Sequence, residues 1–236
     1  VDLLLIHGFP FDRTIWEAQA AALSSSFRVI APDLRGFGGT PGIAASIDDY
    51  AMDMLQLLDR LGLSSAAVAG HSMGGYVLFS MLRLAPERVS AAAFVSSRAS
   101  GDSDQARSAR EENARRALAE GTAFLADSMT ERLLGGADSP VTPRIRQMIR
   151  AAPPAGVAAA LRAMAARPDS TPLLSSIRIP CLVVAGRRDK IVPPAESESM
   201  SRSIPGARLL WFENSGHMPM LEEPDRLSQV LREFLS

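Results

Sequence analysis

The residues that could do chemistry fall in three short stretches. Gly70-His71-Ser72-Met73-Gly74 has the spacing G-x-S-x-G and follows directly on the apolar run AAVAG. In that spacing the serine occupies a sharp strand-to-helix turn, and bulk two residues to either side would collide with neighbouring backbone. The turn lifts the hydroxyl above the strand end and aims the next amide, that of Met73, at the same spot. A helix read over 73–84 starts there, so its N-terminal dipole favours negative charge at the site. These are the requirements of a nucleophilic serine in acyl transfer.

A serine hydroxyl is a poor nucleophile until a base takes its proton. The chain has three histidines. His71 adjoins Ser72, and neighbours on a tight turn point apart. His7 lies in the opening turn HGFP and reads as structural. His217 sits in ENSGHMPML after the apolar run ARLLWF, at the edge where a parallel sheet carries its functional loops. It is the candidate base. A third group must hold the imidazole in one tautomer and stabilise the imidazolium. Asp189, in the loop after CLVVAG, is placed for this; the alternative is a surface partner for Arg187 or Arg188. Glu213 is the rival acid, but it stands only four residues before His217.

The elements that must position these residues are short apolar runs alternating with helical stretches. Strands are expected at 3–7, 28–32, 66–70, 91–97, 180–186 and 207–212. They are apolar throughout rather than alternating, as in a parallel sheet covered on both faces. A helix begins at Ser46, with Asp49 in a capping-box variant, and Gly62 ends it; Tyr50, Met54, Leu57, Leu58 and Leu61 share one face. This alternation gives an α/β fold with right-handed crossovers. The rhythm breaks between about 100 and 171. There Leu118, Phe124, Leu125, Met129, Leu133 and Leu134 recur at helical intervals, punctuated by Gly135-Gly136 and Pro153-Pro154. The expectation is a core of 1–99 and 172–236, interrupted at 100–171 by several short helices forming a cap or lid.

Composition narrows the function classes. The chain has 236 residues, 47% hydrophobic and 22% charged, with a formal net charge of −1. That balance argues against a nucleic acid or an anionic membrane surface as the main partner. The richest cationic stretch, 107–116, is interleaved with Glu111 and Glu112 and reads as a solvated helix face. The single cysteine, Cys181, reads as a small buried hydrophobe. No run approaches the roughly 18 apolar residues of a spanning helix. VDLLLI is too short for a signal-peptide core and lacks a basic start, so a cytoplasmic location is expected. The first methionine is Met52, which leaves open whether residues precede Val1. Scattered histidines and one cysteine offer no metal-ligand spacing, so neither metal nor cofactor is expected. GFGGTPG lacks the lysine and spacing of a phosphate loop and reads as a tight turn.

At these residues the chain resembles the α/β-hydrolase family. The likeness spans HGFP at 7–10, DLRGFG at 33–38, the GHSMGG turn, GRRDKIVP at 186–193 and SGHMP at 215–219. The order Ser72, Asp189, His217 is the family's order. The resemblance implies Ser72 as nucleophile, His217 as base and Asp189 as acid, with an oxyanion hole from the backbone N–H groups of Phe9 and Met73. Within the family the look is that of carboxylesterases and 3-oxoadipate enol-lactonases, so the expected partner is a small ester or lactone. Trp16 reads as packing core, and Arg35 as a brace for the loop after its strand. A lactonase acting on a dicarboxylate would need a cation in its pocket, for which Arg132, Arg144 and Arg162 are candidates. A non-hydrolytic receptor or lyase on the same scaffold is the alternative of another class. The usual fold begins with two further strands, for which there is no room before Leu3. The sheet is therefore expected to hold about six strands, with that around Val29 at its edge, where an exposed apolar edge invites a homodimer.

Overall fold

In the computed structural model, which describes residues 1–136 and 139–236, six strands form one sheet in which every neighbouring pair is parallel. They are β1 (Asp2–Ile6), β2 (Arg28–Ile30), β3 (Ala66–His71), β4 (Val89–Val95), β5 (Cys181–Gly186) and β6 (Arg208–Phe212), in the order β2-β1-β3-β4-β5-β6. β3 and β5 are buried at every position, as their unbroken apolar runs require, while β2 lies at the edge and is partly exposed. Registers such as His71 with Val95 and Gly186 with Phe212 bring the carboxyl ends of four strands to one edge.

Before β4 the chain adds α1 (Glu17–Leu23), α2 (Ile47–Arg60) and α3 (Met73–Leu84). The capping box forms as expected: Ser46 Oγ accepts from the Asp49 amide, and the Asp49 carboxylate accepts from the Ser46 amide. Tyr50, Met54 and Leu58 are buried, and Gly62 beyond the helix end has φ +69°. α3 is buried from Met73 to Leu82, because it lies between the sheet and α2; Phe79 stacks on Phe94 with centroids 4.3 Å apart. Cys181 is buried, which pushes its thiol up to about 11.

Between β4 and β5 run α4 (Asp104–Glu120), α5 (Ala123–Leu133), α6 (Thr142–Ala151) and α7 (Pro154–Ala166). The helices are not all short, since α4 has 17 residues. Leu118 is 53% exposed; the buried positions of α4 are Ala114 and Ala117, small enough for α7 to pack closely. The chain then completes the sheet and adds α8 (Pro194–Ser203), α9 (Pro219–Glu222) and α10 (Pro224–Leu235). Among the described residues no helix is long and apolar enough to cross a membrane.

One charged knot joins the two stems of the helical segment. The Asp102 side chain is fully buried and accepts from Arg98 Nη2 at 2.6 Å, Arg167 Nη1 at 2.8 Å and Arg110 Nε. Arg167 also donates to the Met164 and Ser100 carbonyls, both at 2.8 Å, and its guanidinium lies 4.0 Å from the Tyr76 ring centroid. Burial alone would raise the Asp102 carboxyl, but the Arg110 and Arg167 guanidiniums outweigh it and hold the group down at about 2.

Removing one member of a buried ion cluster leaves the others uncompensated, at a typical cost of about 3–5 kcal/mol. Asp102→Asn is therefore expected to unfold at markedly lower denaturant concentration than the wild type. Because the folded-state pKa is depressed, the advantage is fully present above the ordinary value of 3.8 and is lost as pH falls toward about 2. Denaturation curves of both proteins from pH 6 to pH 2.5 should converge; a gap independent of pH would refute the electrostatic origin.

Candidate active site

β3 runs straight into Ser72, whose backbone angles are φ +50° and ψ −110°. A serine in that region is strained and persists only where its surroundings hold it. Here the Ser72 amide donates to the Val95 carbonyl at 2.9 Å, and the Ser72 carbonyl accepts from the Gly75 amide at 2.9 Å and Ser97 Oγ at 2.8 Å. A Cβ on Gly70 would strike the Gly74 carbonyl, and one on Gly74 the Ile6 and His7 carbonyls. The glycine spacing thus records backbone laid on backbone.

Ser72 and His217 line one cavity of about 230 Å³, with Phe9, Tyr76, Met129, Leu161 and Met164 among its walls. Larger hollows of about 490 and 410 Å³ lie beside Asp33 and beside Phe37, but they contain none of the three candidate residues. Site chemistry rather than size singles out the smaller cavity.

The histidine is held on every side. Its Nδ1 lies 2.8 Å from Asp189 Oδ2, and both side chains are 2% exposed. Asp189 Oδ1 accepts from the Ile191 and Val192 amides at 2.7 and 2.9 Å. With the carboxylate as acceptor, Nδ1 carries the proton, and Nε2 is left as the basic nitrogen of the neutral ring. The His217 amide donates to the Leu133 carbonyl of α5 at 2.8 Å, and the His217 carbonyl accepts from His71 Nε2 at 2.9 Å. His71 is fully buried, and burial together with the nearby His217 ring lowers its pKa well below the usual value. It therefore stays a neutral donor that braces His217, a role the sequence did not suggest. His7 is also structural: Nε2 accepts from the Leu34 amide at 2.9 Å and Nδ1 donates to the Gly8 carbonyl at 3.0 Å.

The structure brings Ser72, Asp189 and His217 to the same sheet edge, and Phe9 to the cavity wall. Among the described residues, neither the Phe9 nor the Met73 amide donates to a protein acceptor. The Met73 amide opens α3, where donors go unpaired unless a ligand meets them. Glu213 is turned outward and pairs with Arg187 at 3.4 Å, while Arg188 approaches Asn214, so Asp189 has neither arginine as partner. Arg35 braces its loop by pairing with Asp53, and Trp16 is fully buried. Arg144 pairs with Glu17 at 2.8 Å and Arg162 with Glu111 at 3.0 Å, both outside the cavity, whereas Arg132 lines it. The stretch 107–116 is not wholly a solvated face, because Arg110 turns inward to Asp102 and the cavity.

Glu222 was not legible as a site residue. Its carboxylate accepts from the Gly135 amide at 2.7 Å and the Gly216 amide at 2.8 Å, tying the end of α5 to the histidine loop. Burial pushes its pKa up, opposed by those same amides. Nothing in the sequence pairs positions so far apart.

A parallel sheet that presents a strained serine and a buried His–Asp pair at one edge is the framework of a hydrolase. The chain belongs to the α/β hydrolase fold family, whose model matches residues 3–224. A thermophilic esterase from Thermogutta terrifontis, solved with malate bound, superposes with a TM-score of 0.96 and 43% identity over 100% of this chain and 89% of the other. The enol-lactonase from Burkholderia xenovorans LB400 gives a TM-score of 0.91 at 29% identity, covering 99% of this chain and 90% of the other. The dihydrolipoyllysine-residue acetyltransferase component of the acetoin cleaving system of Pseudomonas putida is 31% identical over 99% of this chain, which spans only 63% of that protein's length.

Glu222→Ala would release both amides and let the histidine loop drift from the serine. A misplacement of about 1 Å can cost on the order of 100-fold in rate. Single-turnover hydrolysis should slow by about 10- to 100-fold in this variant, with far less change in KM. An unchanged rate would mean that Glu222 does not position His217.

Proposed function

We propose that the chain is a cofactor-independent serine hydrolase of small carboxylic esters, with Ser72, His217 and Asp189 as its triad. The observation that carries this reading is the His217–Asp189 pair, buried and at 2.8 Å, on the same cavity as the strained Ser72. His217 Nε2 takes the Ser72 proton as Oγ attacks the ester carbonyl. The oxyanion that forms is met by the Phe9 and Met73 amides, each such donor being worth roughly 3–4 kcal/mol toward the transition state. His217 then gives its proton to the departing alcohol and leaves an acyl-Ser72 ester. Water enters, His217 removes its proton, and the second tetrahedral intermediate collapses to release the acid and restore the serine. Asp189 stays ionised throughout and steadies the imidazolium.

A lactone hydrolase of the enol-lactonase kind is the second reading, favoured by Arg110 and Arg132 on the cavity wall and by the Burkholderia likeness. It uses the same steps, with the leaving alcohol still tethered to the acyl group. A non-hydrolytic receptor or lyase is the competing class.

Ser72→Ala is expected to lower turnover of p-nitrophenyl acetate by about 10⁴-fold or more. A fluorophosphonate should label wild-type Ser72 rapidly and the His217→Ala variant hardly at all. Retained turnover in Ser72→Ala, or no labelling of the wild type, would reject the hydrolase reading.

A further inference from the structure

The cavity over Ser72 has two cationic side chains in its walls. Arg110, Arg132 and Asn113 line it with apolar side chains, and among the described residues no Asp or Glu does. Among the described residues Arg132 forms no ion pair or hydrogen bond. Arg110 does have a carboxylate, Asp102, but shares it with Arg98 and Arg167, so one buried anion faces three guanidiniums. The next acid, Glu196, is engaged by Ser100 Oγ at 2.9 Å and acts on Arg98 rather than on the cavity. Arg110 is fixed in place by its Nε bond to Asp102 and a 3.5 Å contact of Nη1 with Met164 Sδ.

An excess of positive charge beside apolar walls is costly to leave unmatched, and a carboxylate is an anion that a guanidinium can grip with two parallel hydrogen bonds. At about 230 Å³ the space falls below the range of drug-sized pockets, which limits the ligand to a short chain. We infer that Arg132 and Arg110 are specificity-determining residues that select esters or lactones carrying a carboxylate of their own, a short dicarboxylic monoester being the simplest case. The inference rests on the hydrolase reading given above. Arg132 follows α5 to Leu133, whose carbonyl receives the His217 amide, so one arm of this site is continuous with the mount of the base. Asp102 is the positioning residue of the other arm.

The test compares kcat/KM for monomethyl glutarate, an anion at pH 7.5, with that for dimethyl glutarate, its neutral counterpart. The wild type should favour the anion by about tenfold or more, and added salt should shrink the preference. The ratio should fall about 10- to 100-fold in Arg132→Gln and in Arg110→Gln, and Arg132→Lys should recover part of it. Turnover of dimethyl glutarate with no preference for the anion, or a ratio unmoved by Arg132→Gln, overturns this inference alone. Failure of both esters while a fluorophosphonate still labels Ser72 overturns it as well. Failure of both esters together with failure to label Ser72 removes the hydrolase reading itself.

Discussion

The site rests on a backbone contact: the chain must leave β3 and enter α3 within the space of one residue. That is possible only because Gly70 and Gly74 let main chain touch main chain, and because Ser72 takes a positive φ. A strained residue of this kind costs of order 1–3 kcal/mol. The bonds from Val95, Gly75 and Ser97 offset that cost by fixing both polar groups of the Ser72 backbone. The reward is positional. Ser72 is thereby held at the wall of the cavity that His217 also lines.

The other half of the site is assembled from distant pieces. His217 is held by Asp189 from the loop after β5, by His71 beside Ser72 and by the carbonyl of Leu133 in α5. Glu222 then ties that same corner of the helical segment to the histidine loop. His217 is therefore mounted partly on the segment that walls the cavity, and the Asp102 knot anchors the two stems of that segment. Displacement of those helices would move His217 as well as the walls.

The parts legible in the sequence were those encoded over a few neighbouring residues. Unbroken apolar runs gave the six strands to within about two residues, and G-x-S-x-G gave the turn, since its spacing is itself local, although Gly74 makes room for the distant Ile6 and His7 carbonyls. Asp189 and His217 were legible because each follows a strand end, where the topology of a parallel sheet collects its loops. What stayed hidden depended on contacts between distant segments. Arg110 lies within a run of exposed charges, and only Asp102 turns it inward. Leu118 has the helical spacing of a core residue, yet Ala114 and Ala117 are the buried positions because α7 comes too close for a larger side chain. Arg144 and Arg162 looked as suitable as Arg132 for a pocket cation. Their carboxylate partners, Glu17 and Glu111, lie far off in sequence.

In the proposed mechanism Ser72 carries the acyl group between the two halves of the reaction. Mixing the protein with p-nitrophenyl acetate, quenching in acid within the first turnovers and mapping the peptides by mass spectrometry addresses it directly. A single added acetyl group is expected on the peptide that contains Ser72, formed at the rate of the first p-nitrophenol release. Rapid p-nitrophenol release with the acetyl group on another residue would contradict it.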